Sequence, residues 1–431
     1  MRIETGFTSS LSLGNHPMRA VKPTIKEEYF RVLCYFAEQT ELNVVQRIRL
    51  DEYRKMLIGD KKLDEMDINP FIESIIRVRF KPWRKKYRYW LMCDLAVLLL
   101  DEELLSRVYE SIKVCLTEKH QKQLENFFSS FGASGVAPPS YAPTCVMLEQ
   151  YKANMNFLKL PIKRIIVTGN MSSGKSTLIN ALVGKPLLRS AQEACTGSVC
   201  YIYNKPFEDG RVHLVGPEFS LDASDEALRS FAWKKDIHIA THFREQCPSG
   251  GVCIIDTPGV NFALNTGHGN AARKALAQKK YNTVLYLFDG GKLGTEAEFY
   301  HLKWVAQNVP HDRIIFVVNK MDDFRVADDD IAASIQKLQN DLSSCGFENP
   351  LVHPVSAYFA LLLKMKMAGA QLDEDDEDEF VRLQKKYQRP AYDLSNYYEE
   401  AESNKSDKEL TTLLKKCGMY GLEKQCLGGA P

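Results

Sequence analysis

Gly169, Gly174, Lys175 and Ser176 are spaced as G-x-x-x-x-G-K-[ST] within Gly169-Asn170-Met171-Ser172-Ser173-Gly174-Lys175-Ser176-Thr177. That spacing suits phosphate chemistry. The glycines let the main chain come close to a polyphosphate and adopt conformations closed to other residues. Successive N–H groups then point into the loop, and the following helix adds its positive N-terminal end. Lys175 reaches the β- and γ-phosphates, and the Ser176 hydroxyl is a ligand for Mg2+. The bland alternative is a glycine-rich turn with a surface lysine, and two later motifs weigh against it.

The first of these is Val252-Cys-Ile-Ile-Asp256-Thr-Pro-Gly259. An apolar run delivers an aspartate and then a glycine, the order expected where a buried strand ends at a ligand. Asp256 is suited to hold Mg2+ through water, and the Gly259 amide to sense the γ-phosphate. The second is Asn319-Lys320-Met321-Asp322, again after an apolar run. Guanine presents an acceptor at O6 and donors at N1 and N2. Asp322 accepts from both donors, Asn319 suits the N7/O6 side, and the Lys320 stem covers the ring. A site built on such hydrogen bonds rejects the wrong base because its own groups would be left unpaired. The backbone at Ser356 and Ala357 is placed to touch O6.

These residues need a scaffold. The apolar runs at 165–167, 199–203, 252–255, 283–288 and 313–318 read as short buried strands, and 177–183, 295–307 and 331–342 as helices. Strand, loop and helix in alternation predict an α/β fold, a mostly parallel sheet flanked by helices. A hairpin is expected from 199–203 and 211–215 across Glu208-Asp209-Gly210. The first third reads as a smaller α-helical domain: a polar lead to residue 20, one helical pattern over 24–57 capped at Thr24, and two helices over 89–128. Two glycines and three prolines within 131–143 mark a linker. The predicted domains are therefore 1–130 helical, 131–145 linker and 146–431 nucleotide-binding, with a short helix over 146–158 leading in.

Composition limits the remaining possibilities. The net charge is +1, which gives no electrostatic case for nucleic acid, and the eleven cysteines, odd in number and without a C-x-x-C pair, suit reduced thiols in a cytoplasm. No apolar stretch approaches the roughly 20 residues that cross a bilayer. Residues 77–88 hold seven basic side chains and three aromatics without an acid. Through residue 90 this is a possible peripheral membrane contact, weighed against a solvated edge whose aromatics pack on neighbouring helices, which is favoured. The seven acids of 373–379 read as a disordered surface insertion near 371–380. His238 and His242, with Cys247 beyond, have helical ligand spacing. A lone histidine pair is more often structural.

The motifs occur in the order of a P-loop GTPase, and the chain resembles the dynamin superfamily, particularly bacterial dynamin-like proteins, over about 150–430. The residues that carry the resemblance are Ser172-Ser173-Gly174-Lys175-Ser176-Thr177, the phrase Ser-Thr-Leu-Ile-Asn-Ala-Leu that follows, and the long interval before Asp256. The resemblance implies that Ser172 lies near the β–γ bridging oxygen, and that Thr196 coordinates Mg2+ and positions water. It implies a catalytic set of Ser172, Lys175 and Thr196, and a metal set of Ser176, Thr196 and Asp256. Val260 stands where Ras-like enzymes place a water-orienting glutamine. Catalysis is then expected to be completed by pairing of two GTPase domains, as a homodimer or larger oligomer. Dynamins follow this domain with a long helical stalk; the expectation is either that the helical N-terminal third substitutes for it or that the chain is a truncated relative. The competing expectation is a guanine-nucleotide switch that binds a protein or RNA partner. A scaffold with negligible turnover conflicts with intact Lys175, Ser176 and Asp256.

Overall fold

The computed structural model describes residues 6–78, 82–132, 142–188, 199–215, 219–224, 228, 236–244, 251–259, 266–290, 296–325, 330–398 and 409–427. In chain order come helices α1 (Pro23–Ala37), α2 (Val44–Ile58), α3 (Lys85–Leu99), α4 (Glu102–Val114), α5 (Glu118–Phe128) and α6 (Ala142–Leu158). Strand β1 (Lys163–Gly169) precedes helix α7 (Lys175–Val183). Strands β2 (Cys200–Asn204), β3 (His213–Val215), β4 (Phe219–Ser220), β5 (Ile237–Thr241) and β6 (Val252–Asp256) follow. Then come α8 (Thr266–Ala277), β7 (Thr283–Asp289), α9 (Glu296–Asn308), β8 (Ile314–Asn319), α10 (Ile331–Ser344) and β9 (Val352–Pro354). Helices α11 (Ala357–Met367), α12 (Glu374–Tyr387), α13 (Glu409–Lys416) and α14 (Met419–Cys426) close the chain. Two compact units result: Met1–Leu160 with Lys205–Ala223, and Pro161–Asn204 with Ser224–Pro431.

The first unit is helical and organised on α3, where every residue from Tyr87 to Leu99 is buried. A helix apolar on all sides must be surrounded, and α1, α2, α4 and α6 pack on it. The one acid in its buried part, Asp94, accepts from the Tyr29 hydroxyl at 2.5 Å and the Tyr53 hydroxyl at 3.2 Å, and pairs with His16 Nε2 at 2.9 Å. A buried carboxylate is tolerable only when so satisfied. Its partners tie the N-terminal segment, α1 and α2 to α3. Residues 6–20 are accordingly not a loose lead. Phe7, Leu11, Leu13 and Met18 are buried, and the Asn154 amide exchanges two hydrogen bonds with the Ser10 backbone, at 2.8 and 3.0 Å. The alternation of Phe7, Ser9, Leu11 and Leu13 was the available signal for burial.

Two helical readings divide. The 24–57 pattern breaks into α1 and α2, because Asn43 and Gln46 form a capping box that starts a new helix. Pro23 at N1, rather than a Thr24 cap, opens α1. The 89–128 pattern gives α3, α4 and α5, with Asp101 capping α4. Part of the basic run is internal or paired. Arg88 is buried and donates to the Ile76 carbonyl, Arg84 pairs with Glu28 at 2.9 Å, and Arg77 pairs with Glu73 at 2.6 Å. Tyr87 and Trp90 are buried, and among the described residues of the run Arg77, Trp83, Lys85 and Lys86 are exposed.

The second unit holds a sheet in the order β5-β2-β6-β1-β7-β8-β9. All pairs are parallel except β2 with β6. Its central strands are continuous apolar runs because helices cover both faces. Ile165 to Val167 and Leu285 to Phe288 are buried. The expected hairpin is absent: β2 takes β5 and β6 as neighbours, and β3 pairs antiparallel with β4 in the other unit. Its supposed turn instead carries a buried ion pair, Lys205 Nζ to Asp209 at 2.6 Å, with Asp209 Oδ2 also accepting from the Leu11 amide at 2.8 Å. The acidic run is ordered as well. Asp373 accepts from the Asp376 amide at 2.8 Å and caps α12, so the acids fill the first turns where the helix end is positive. Phe380, Leu383 and Tyr387 bury the apolar stripe of that helix. At the closing helices, Lys364 and Glu423 form an ion pair with almost no exposed surface, and Lys364 also donates to the Leu182 carbonyl at 3.2 Å. This fixes α11 and α14 to the end of α7.

Candidate nucleotide-binding site

Parallel pairing carries the ends of β1, β6, β7, β8 and β9 to one edge of the sheet. Val167 stands opposite Asp256, Gly169 opposite Leu287, Asp289 opposite Asn319, and Val318 opposite Pro354. Ligands of parallel sheets bind at this carboxyl edge. Gly169 leaves β1 at φ 140, Ser172 sits at φ 67 and Gly174 at φ 86. These left-handed residues turn the chain into a loop before α7 starts at Lys175. A Cβ on Gly169 would lie 2.3 Å from the Leu287 carbonyl, and one on Gly174 would lie 2.3 Å from Asn319 Nδ2. Neither position accepts a side chain without displacing the strand or loop beside it.

Lys175 Nζ donates to the carbonyls of Gly169 at 3.1 Å and Asn170 at 2.7 Å, so the ammonium lies over the loop. A Cβ on Gly259 would come 3.1 Å from that ammonium and 3.0 Å from Met171 Cα. Gly259 therefore faces Lys175 across a gap that a side chain would fill. Ser173 is buried and donates to the Asn170 carbonyl at 2.9 Å. Met171 and Ser172 are exposed, and Ser176 and Thr177 half-buried on the first turn of α7. The Asn170 amide donates to the buried Glu298 on α9 at 2.9 Å. Residue 298 has no motif around it, and only the fold brings it to the loop.

Asp256 is half-buried, with its Oδ1 shielded from solvent and without a hydrogen-bond partner. Burial pushes its carboxyl up to about 6, and the Lys175 charge opposes the rise. An unsatisfied carboxylate oxygen beside a hydroxyl-bearing helix start is a hard-oxygen set that fits Mg2+. Ser176 and Asp256 would hold the ion, most of its remaining ligands being phosphate and water. Thr196 and Val260 lie outside the described residues.

At the other end, Asn319 Nδ2 donates to the Ser173 carbonyl at 3.1 Å and its Oδ1 accepts from the Ala357 amide at 3.1 Å. Asn319 thus ties the phosphate loop to the turn at Ser356 and Ala357. Ser356 is buried and donates to Asp322 Oδ1 at 2.6 Å, so one carboxylate oxygen is fixed. Burial raises the Asp322 carboxyl, and the Ser356 hydrogen bond counters it. Lys320, at φ 64, pairs with Asp289 at 2.8 Å, which extends its stem across the loop. A Cβ on Gly290 would meet the Asn319 carbonyl at 2.8 Å, so the end of β7 also closes on this loop. Asp289 was not marked by any motif, although an acid at a strand end is a readable hint for it.

His238 and His242 do not form a metal pair. His238 lies on β5, where four residues span about 13 Å rather than one helical turn. Its ring stacks on Tyr201 at 4.7 Å and its Nδ1 lies 3.3 Å from the Tyr203 hydroxyl. Among the described residues no group of three or more potential ligands could hold a metal ion.

Comparison with known proteins supports the same region. Residues 165–321 match the model described as the dynamin family. A probable chloroplastic transmembrane GTPase, FZO-like, of Arabidopsis thaliana is 25% identical over 209 residues, covering 48% of this chain and 20% of that protein. An uncharacterized protein from the xynA 3′ region of Caldicellulosiruptor is 26% identical over 235 residues, covering 52% of this chain and 56% of that one. This chain thus spans only part of the length of both relatives. Among solved structures, an oligomerised bacterial dynamin pair aligns at 14% identity and a TM-score of 0.38, covering 89% of this chain and 70% of that chain.

Proposed function

Because residues 165–321 match the dynamin family, we propose that this chain is a dynamin-type P-loop GTPase that binds GTP and GDP and hydrolyses GTP with Mg2+. The observation that carries this is the meeting of Lys175, Gly259, Asp256 and Asn319 at one sheet edge. The phosphate loop and the base-reading turn are joined there through a single amide, so both ends of a nucleotide find their partners on one rigid frame. Ser176 and Asp256, with Thr196 as the third residue the resemblance implies, would hold Mg2+, which would supply countercharge to the phosphates. Lys175 adds charge at the β–γ oxygens. Asp322 reads N1 and N2. Lys320 covers the base, and the Gly259 amide senses the γ-phosphate.

Phosphoryl transfer needs positioned water and countercharge more than covalent help. This chain has Val260 where a water-orienting glutamine would stand. We assign the missing group to a second GTPase unit paired across the nucleotide face, with Ser172 at the bridging oxygen. The reading keeps segment 77–90, where Arg77, Trp83, Lys85 and Lys86 are exposed, as a candidate peripheral membrane contact of a cytoplasmic chain, with a solvated edge the favoured alternative. No helix among the described residues is long and apolar enough to cross a membrane. GTP hydrolysis measured across a wide protein range, with and without liposomes, tests it. Specific activity should rise with concentration, and Ser172→Ala or Thr196→Ala should depress turnover more than binding. Constant specific activity from a monomer holding a transition-state analogue would instead favour a switch activated by a protein or RNA partner.

A further inference from the structure

The base-reading loop is held from behind by a residue far along the chain. Lys386, in the last turn of α12, donates to the Asp322 carbonyl at 2.7 Å and to the Phe324 carbonyl at 2.5 Å. Its ammonium also lies 4.5 Å from the centre of the Tyr392 ring. The next residue, Tyr387, is buried, and its ring stacks on Phe359 at 5.2 Å and 11°. Phe359 stands in the first turn of α11, and its amide faces the same Ser356 hydroxyl that bonds Asp322. Farther back on α12, Glu377 pairs with Lys366 at 2.5 Å and Asp376 accepts from the Tyr358 hydroxyl at 2.5 Å. Helix α12 is therefore fastened to α11 along its length, and Lys386 is the point at which it grips the loop.

We propose that Lys386 is a specificity-positioning residue for the guanine base: by fixing the carbonyls of Asp322 and Phe324 it aims the Asp322 carboxylate so that both oxygens meet the base together. This inference rests on the guanine reading of Asn319 to Asp322. The geometry explains why aim matters. Ser356 fixes one carboxylate oxygen, but the carboxylate as a whole still swings with its own backbone. Guanine offers two donors, N1–H and the 2-amino group, and satisfying both demands a narrow carboxylate orientation. Hypoxanthine offers N1–H alone and tolerates a looser one. A cation across two successive-turn carbonyls is strong enough to set that orientation, since hydrogen bonds to charged groups are the strong ones. The acidic first turns of α12 then have a role beyond solubility: their contacts to α11 hold in place the helix that carries Lys386.

The experiment uses the full chain and displacement of a fluorescent GDP analogue by GDP, inosine diphosphate and ADP. Wild type should bind GDP more tightly than inosine diphosphate, and ADP weakest. Lys386→Met should lower the GDP to inosine diphosphate preference by about tenfold, the size of one charge-assisted hydrogen bond, while affinity for inosine diphosphate stays close to wild type. Lys386→Arg, which can still donate to two carbonyls, should restore the preference. Equal weakening of both nucleotides by Lys386→Met, or no change in either, overturns the proposal and leaves Lys386 a structural clamp. If Lys386→Met does not fold, Lys386→Gln carries the same comparison. A wild type that binds ADP as tightly as GDP overturns the guanine reading itself, a failure visible without any variant.

Discussion

Replacing Asp256 by asparagine should make the nucleotide-free chain more stable at neutral pH while removing the Mg2+-dependent hydrolysis proposed for it. In the unfolded chain the Asp256 carboxyl ionises near 3.8, whereas burial in the folded unit raises it to about 6. The folded chain thus holds a proton that the unfolded chain has released between those values, and stability falls as pH rises through that window. At about 1.4 kcal/mol per tenfold change in proton affinity, the ionised carboxylate costs the fold about 3 kcal/mol above pH 6 and nothing below about pH 4. Asparagine carries no charge to desolvate, so the cost disappears. Urea unfolding of wild type and Asp256→Asn from pH 4 to pH 8 measures the difference. It should grow from near zero to about 3 kcal/mol in favour of the variant. The same variant should lose Mg2+-dependent GTP hydrolysis, because the amide cannot replace the carboxylate at the metal. A variant less stable than wild type at pH 7.5, or a difference that does not change with pH, would refute the reasoning.

Other outcomes follow from the same geometry. Lys175→Ala should fold but give a flat calorimetric GTP titration, since the loop loses the ammonium that lies over it. Asp322→Asn should shift preference from GTP to XTP in competition with ATP, because the xanthine 2-position presents an acceptor to the new amide donor. Breaking the buried pair with Lys364→Met or Glu423→Gln alone should lower unfolding free energy by about 3–5 kcal/mol, and Lys364→Met with Glu423→Leu should recover most of it. Chemical denaturation of the three variants checks this, and an uncorrected loss in the double variant would show that packing rather than charge holds α11 to α14.

The sequence alone determined which residues are proposed to meet a nucleotide. Gly169, Lys175, Asp256, Gly259, Asn319 and Asp322 are legible because each lies within a short local motif at the end of an apolar run. Backbone conformation and ligand chemistry both act over a few residues there, so spacing is enough. The α/β class was legible for the same reason, since strands buried on both faces must be continuous apolar runs. What tertiary structure decided is everything that depends on distant pairing. β2 lies antiparallel to β6 rather than in a hairpin with 211–215, because its apolar surface is buried between β5 and β6, a competition that turn residues do not report. Residues 6–20 are core because Asn154 and Asp209 satisfy their backbone from far along the chain. The acidic run is helical because Asp373 caps it and Phe380, Leu383 and Tyr387 find a surface on which to pack. Asp289, Glu298 and Lys386 reach the site only through strand order and helix packing. Their side chains carry no local signature, since what each one touches is set by elements 30 to 130 residues away.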